Sequence, residues 1–196
     1  IAGRVVRGRY VWPIFPGFDV FVANPDGSDL RQLATDDGYD AEATVNWKSK
    51  KIIYTSKASG DLDRWSMNED GSGKKQLTKS EGYDGGAVFD RKGKQLLWRA
   101  NHPANPEGME RYRALLKDNL TAPMRMEIFI SDAKGAKPKQ ITSFGCAAFA
   151  PTFSPDGKQI VFAANKHNCD GRKFELYMMN SDGSGLKQIT NFGGFT

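Results

Sequence analysis

Four copies of one turn-and-strand sequence run along this chain, and their spacing constrains the fold more than any other feature. Asn24-Pro25-Asp26-Gly27-Ser28 leads to Arg31-Gln32-Leu33-Ala34, and Asn68-Glu69-Asp70-Gly71-Ser72 leads to Lys75-Gln76-Leu77-Thr78. Asp132-Ala133-Lys134-Gly135-Ala136 leads to Lys139-Gln140-Ile141-Thr142, and Asn180-Ser181-Asp182-Gly183-Ser184 leads to Lys187-Gln188-Ile189-Thr190. The key glycines are 44, 64 and 48 residues apart, the period of one four-stranded propeller blade with extra residues in the middle interval.

A second element interleaves with the first. Residues 43–54, 87–98 and 151–162 each read as a strand, a tight turn and a second strand rich in β-branched and aromatic residues. In Phe153-Ser154-Pro155-Asp156-Gly157-Lys158 proline presets one backbone angle, glycine accepts the left-handed one, and the aspartate bonds its own backbone. These turns are scaffold. The predicted fold class is all-β: a β-propeller of four-stranded antiparallel blades, with about three complete blades, an N-terminal partial or fourth blade, and one short helical insertion.

The predicted blades cover residues 4–34, 42–78, 86–142 and 150–190. In the first, Val5-Val6 and Tyr10-Val11-Trp12 are placed as inner strands. The insertion, residues 101–121, carries Asn105-Pro106-Glu107 as a helix cap, and Met109, Tyr112, Leu115, Leu116 and Leu120 recur at helical spacing. Its apolar stripe either packs on its own propeller or binds a partner. Asn191-Phe192-Gly193 parallels Ser143-Phe144-Gly145, which feeds a new inner strand. The chain therefore reads as a segment of a larger propeller or, alternatively, as a small closed one. It begins at Ile1 and shows no signal peptide, which fits a mature or trimmed form.

Phe153-Ser154-Pro155-Asp156-Gly157-Lys158, followed by Glu175-Leu176-Tyr177 and the last Asn180-to-Thr190 copy, resembles the TolB-like β-propeller repeat of bacterial envelope proteins. Gly38-Tyr39-Asp40-Ala41-Glu42-Ala43-Thr44, Gly82-Tyr83-Asp84-Gly85-Gly86-Ala87 and the insertion around Tyr112 are similar to an uncharacterised subgroup of that family. The resemblance spans about residues 18–196. It implies a non-enzymatic scaffold for protein–protein interaction, periplasmic or otherwise extracytoplasmic, whose partners are other proteins, including a membrane-associated complex. Alternatives are the non-catalytic gating propeller of a prolyl-oligopeptidase-type serine peptidase, or a propeller binding a cation or small polar ligand in its channel.

No apolar run approaches the length of a membrane-spanning helix. The only cysteines are Cys146 and Cys169, too few for a disulfide-rich scaffold or a four-cysteine zinc site. One precedes the first strand and the other follows the second strand of the same blade. Both thus lie on the connection face, as a disulfide or as two free thiols. The net charge is +5, with lysines crowding the hairpin turns and Asp36, Asp37, Asp40, Glu42, Glu81 and Asp84 lying in the connections. A basic hairpin face would attract acidic proteins or anionic lipid. The turns lack the interleaved aromatics of a nucleic-acid stacking platform, so nucleic acid is not an expected partner.

Neither a Gly-x-Ser-x-Gly elbow nor a phosphate-binding loop is present. His102 and His167 fall in different connections without zinc spacing and read as surface histidines, so no catalytic residue and no metal site is assigned. Asp40 and Asp84 occupy equivalent repeat positions at the start of an inner strand. With Glu42 they are the candidate channel ligands, as carboxylates converging on calcium or a basic group. The simpler account is repeated structural hydrogen bonding, and no other cofactor is implied. Tyr39, Tyr83, Tyr112 and Arg113 are the candidate partner-binding side chains, because the connections diverge between copies and aromatic and arginine residues dominate interface hot spots.

Overall fold

The structure, a computed structural model, describes residues 4–6, 9–36 and 38–194. Asp37 of the acidic stretch and both chain ends lie outside them. Two compact units are present, residues 1–85 with 102–122, and residues 86–101 with 123–196.

The first unit opens with β1 (Arg4–Val6) and β2 (Arg9–Pro13), followed by β3 (Phe21–Val22) and β4 (Arg31–Gln32). A full four-stranded antiparallel sheet follows, in the order β5 (Asp40–Asn46), β6 (Lys51–Ser56), β7 (Asp63–Asn68), β8 (Lys75–Gln76). Strand β9 (Tyr83–Phe89) begins here and runs into the second unit. There it edges a sheet with β10 (Gln95–Asn101), β12 (Glu127–Asp132) and β13 (Lys139–Gln140). A third four-stranded sheet comprises β14 (Ala148–Phe153), β15 (Gln159–Ala164), β16 (Glu175–Asn180) and β17 (Lys187–Gln188). The insertion forms α1 (Pro106–Lys117) and β11 (Leu120–Thr121). Meandering antiparallel sheets of this pattern are propeller blades.

The repeats explain the blades residue by residue. In each well-formed turn the aspartate accepts from the serine two residues on: Asp70 Oδ1 takes the Ser72 amide at 2.9 Å and its hydroxyl at 2.7 Å, while Asn68 Nδ2 donates to Ser72 Oγ at 2.8 Å. Asn24/Asp26/Ser28 repeats these bonds. The serine bonds hold the aspartates below their ordinary carboxylate range.

The outermost strands are only two residues long, and side chains hold them in place. Glu127 Oε2 accepts from Thr142 Oγ1 at 2.6 Å, and Thr142 Oγ1 in turn accepts the Ile128 amide at 2.8 Å. Glu175, Thr190 and the Leu176 amide repeat this latch. In the first unit Asp19 and Asp63 take the acid's place, accepting from Gln32 and Gln76 at 2.8 Å each. The Gln-x-Thr ending of the repeat, read from sequence simply as strand, is therefore half of a latch.

Among the described residues each unit holds an apolar core. In the first unit Leu33 and Ala34 pack on Ile52, Tyr54 and Met67 of the following sheet. In the second, Ile141 and Phe144 pack on a core that includes Ile160, Phe162, Tyr177 and Met179. Strand patterning predicts Phe89, Leu97, Trp98, Phe153, Ile160, Phe162, Leu176 and Ile189 in the blade interior; of these Leu97, Trp98, Ile160 and Phe162 are at most 1% exposed, whereas Phe89, Phe153 and Leu176 are half-buried. Ile189 is 49% exposed and departs from the expectation.

Two other expectations are corrected. Val5-Val6 and Tyr10-Val11-Trp12 are not inner strands beside β3. Strand β2 pairs with β1 on one side and with β11 on the other, Pro13 opposite Leu120 and Trp12 opposite Thr121. Leu120 is not part of the helical stripe, because Asn119 takes a left-handed φ of 53° and ends the helix after Asp118.

Each inner strand also carries a feature the sequence did not announce. Glu42, Gly86 and Ala150 stand at the same repeat position, and all have positive φ, 57°, 60° and 47°. Pairing slips there in both ladders whose register is defined, between Ala41 and Thr44 and between Phe149 and Thr152. This is a repeated β-bulge.

Candidate functional site: the connections around the insertion helix

Helix α1 starts where Asn105 accepts the Gly108 amide at 2.7 Å with Pro106 in the first turn. Tyr112 and Leu116, four residues apart, share its buried face. The Tyr112 hydroxyl donates to Asp61 Oδ1; burial, then Asp61, pushes this phenol far above its ordinary range. At the other end Lys57 Nζ donates to Leu116 O at 3.1 Å and Asn119 Oδ1 at 2.7 Å. A cation at the helix C-terminus also suits its dipole.

These contacts correct the expected exposure of Tyr112. The ring is 6% exposed and anchors the helix to its own unit. Neighbouring helical residues point about 100° apart, so an inward Tyr112 leaves Arg113 outward. Arg113 is on the surface, its guanidinium held by Glu81 at 2.5 and 2.6 Å. That pair holds the Glu81 carboxyl below its ordinary range. Tyr83 is also buried, at 4% exposure, and donates to Glu42 Oε2 at 2.8 Å. Thr55 donates to the same oxygen at 2.8 Å, and a side chain on Gly85 would strike both Glu42 and Tyr83.

The three candidate channel carboxylates do not share a ligand position. Glu42 is engaged by Thr55 and Tyr83. Asp84 Oδ2 lies 2.8 Å from His102 Nε2, so His102 is joined to the inner strand rather than being a plain surface histidine. Burial disfavours the charged imidazole, but the Asp84 hydrogen bond and charge outweigh it and raise its pKa. Beside them Arg64 is fully buried. Burial pushes its guanidinium down to about 10, against the pull of Asp84 and Asp63. Asp40 is 1% exposed. Neither of its oxygens has a well-formed hydrogen bond, and burial drives its pKa up despite nearby Ser56. Among the described residues no three acidic, histidine or cysteine side chains form a metal-binding group.

Tyr39 is the one partner-binding candidate that joins an exposed aromatic group. Its ring stacks on Phe18 at 6.2 Å, and Phe18 stacks on Phe15 at 5.0 Å. Phe15 and Phe18 are 41% and 40% exposed. The stack borders a concavity of about 290 Å³ lined by Ile14, Pro16, Gly38, Tyr39, Lys57 and Asn119. The Asp40 amide bonds Phe18 O at 2.7 Å and the Lys57 amide bonds Tyr39 O at 3.0 Å, so the stack stands on ordered backbone. Phe15 and Phe18 were missed in the sequence; Phe15-Pro16-Gly17-Phe18, an aromatic pair around a Pro-Gly turn, was the available signal. In the second unit Cys146 and Cys169 form a disulfide with Cα atoms 4.6 Å apart. His167 Nε2 donates to Gln188 Oε1 at 2.7 Å at the surface.

Blades of this pattern define the chain's architecture as a TolB-like β-propeller fold. The structure is similar to the TolB-designated protein of Agrobacterium tumefaciens (TM-score 0.66, 17% identity, 95% of this chain and 58% of that one). It is also similar to TolB of Acinetobacter baumannii (TM-score 0.68, 19% identity, 89% of this chain and 38% of that one). A further neighbour is an enzyme, the oligogalacturonate lyase of Vibrio parahaemolyticus (TM-score 0.58, 15% identity, 88% of this chain and 46% of that one). The chain thus spans between 38% and 58% of the length of these proteins. No family model matches the sequence. Among the described residues no helix is long and apolar enough to cross a membrane.

Proposed function

We propose that this chain is a non-enzymatic segment of a propeller that holds other proteins in the bacterial cell envelope, outside the cytoplasm. The stack of Phe15, Phe18 and Tyr39 beside its concavity carries the reading. Large, rigid aromatic rings on fixed backbone are the side chains that dominate protein interfaces, and connections between scaffold elements are where binding residues collect. The likeness to TolB supports the envelope setting, and a disulfide suits an oxidising compartment. Arg113 is exposed on the helix itself and lines a second concavity that shares Lys57 with the first. Asp40, Glu42 and Asp84 serve the scaffold in this reading.

The test is capture from envelope extract with the chain immobilised, wild type against a Phe18→Ala/Tyr39→Ala double variant. A protein retained by the wild type and lost by the double variant, with the melting temperature kept, is the expected result. Retention of the same protein by both sinks the assignment of this surface.

A further inference from the structure

The turn between β5 and β6 carries a residue that its copies lack. Trp47 stands where the equivalent turns hold Arg91 and Pro155, all three at exposed positions, and it supplies none of the preset backbone angle that proline gives a turn. At 84% exposure it is the most exposed large apolar side chain among the described residues. The turn that carries it is fixed. Asn46 is buried, its side-chain oxygen accepts the Lys48 and Ser49 amides at 3.1 and 3.2 Å, and its carbonyl accepts the Lys50 amide at 2.8 Å. Ordered backbone therefore holds the indole out in water.

A single exposed apolar residue is ordinary on a protein surface, but Trp47 is joined by Lys48, Lys50 and Lys51, all exposed, with no acid in the turn. Lys50 meets Glu69 of the adjoining β7–β8 turn at 3.3 Å, and Lys51 donates to Asn68. That adjoining turn balances Glu69 and Asp70 with its own Lys74 and Lys75, so the lysine excess stays with Trp47. A ring standing clear of its own chain offers a protein partner one flat contact and no pocket, whereas the headgroup layer of a membrane surrounds it. Tryptophan collects at that layer because its ring is apolar and its N–H polar. Lysines beside it lay their stems along the apolar boundary and reach anionic headgroups with their tips.

We propose that the Trp47 turn is a membrane-surface contact: the indole enters the headgroup layer of an anionic bilayer, and Lys48, Lys50 and Lys51 attract its phosphates. Strand β6 separates this turn from Lys57, which borders the concavity beside the aromatic stack. From Lys51 to Lys57, six residues on, the extended chain spans about 20 Å. The protein can thus rest on lipid at one end of this sheet while the connections at the other end stay open to a protein partner. The contact is reversible, because stable anchoring takes two strong signals such as two lipid chains.

The experiment is flotation of the whole chain with vesicles of phosphatidylcholine, alone or mixed equally with phosphatidylglycerol, up to millimolar lipid and read together with tryptophan emission. Circular dichroism checks that each variant keeps the fold. The wild type should float with the mixed vesicles only, release as salt rises, and shift its emission to the blue as the indole leaves water. Trp47→Ala should lose the blue shift and weaken binding by at least about tenfold. Lys48→Gln and Lys51→Gln should each weaken it about fivefold, the equivalent of about 1 kcal/mol per lysine. Phe18→Ala/Tyr39→Ala should bind as the wild type does, which separates this contact from the protein-holding surface. A wild type that ignores both vesicles overturns the inference and leaves the turn to an acidic protein. Equal binding to both vesicles, undiminished binding by Trp47→Ala, or a blue shift that survives that change overturns it as well.

Discussion

Replacing Tyr112 by alanine tests whether the insertion is tied to the scaffold or displayed from it. The ring is 6% exposed and its hydroxyl bonds Asp61. Emptying a buried aromatic site costs about 3–5 kcal/mol. In a chain of this length each kcal/mol moves the melting temperature by roughly 2–4 °C, so a loss of about 4 kcal/mol lowers it by roughly 8–16 °C. Tyr112→Phe keeps the ring and removes only the hydrogen bond to a carboxylate, about 1.5–3 kcal/mol. Because Asp61 is half-buried and can be rehydrated, the lower end applies. Arg113→Ala breaks an exposed ion pair and should leave the melting temperature within error. The assay is thermal unfolding followed by circular dichroism, with reversibility checked by rescanning. A Tyr112→Ala protein melting within about 2 °C of wild type would refute the anchoring role, since that shift corresponds to less than about 1 kcal/mol.

Asp40→Asn should stabilise the protein near neutral pH, because the folded state raises the pKa of this buried carboxyl. The gain should be absent below the ordinary aspartate pKa, grow as pH rises through the interval up to the raised value, and stay constant above it; urea midpoints that show the opposite slope would exclude the assignment. Reducing the Cys146–Cys169 bond, which spans 23 residues, should cost about 3 kcal/mol by loop entropy, read as a lower urea midpoint with dithiothreitol and no change in a Cys146→Ser/Cys169→Ser variant. Gly71→Ala should destabilise more than Gly157→Ala, since both have positive φ but only at Gly71 does the new Cβ meet backbone, that of Leu33; the difference, about 1–3 kcal/mol for overpacking, is measured by chemical unfolding, and equal losses would show that the contact with Leu33 has slack.

The blades were legible because their signals are local and repeated. Tyr54, Trp98 and Phe162 fall at one repeat position and are all buried, as period and β-propensity require. The burial of Tyr112 was legible too, from its four-residue spacing to Leu116, but exposure was assigned on residue type instead. The latch had a signal that went unread: Asp19, Asp63, Glu127 and Glu175 each stand 13 residues before the repeat glutamine. Other features had no local signal. The inner-strand bulge falls on Glu, Gly and Ala, which share no preference for a left-handed backbone. The pairing of β2 with β11 joins Trp12 to Thr121, a two-residue contact across most of the chain, where no pattern of neighbours announces the partner. His102 meets Asp84 for the same reason, by the path of the chain rather than by spacing.

The threonine latches also make particular amides informative. The Arg64, Ile128 and Leu176 amides donate to a threonine hydroxyl at 2.8 Å each instead of to a neighbouring strand. Their deuterium uptake thus depends on whether a two-residue outer strand has swung away, while the amides beside them report the opening of a whole sheet. Comparing those three sites would rank the blades by how often each outer edge detaches. At low pH the ranking would shift at Leu176 in particular, where the Thr190 hydroxyl and the Gly193 amide hold the Glu175 carboxyl below its ordinary range. Protonating that carboxyl removes the acceptor that orients the hydroxyl, and uptake at Leu176 would accelerate as pH falls through the lowered value.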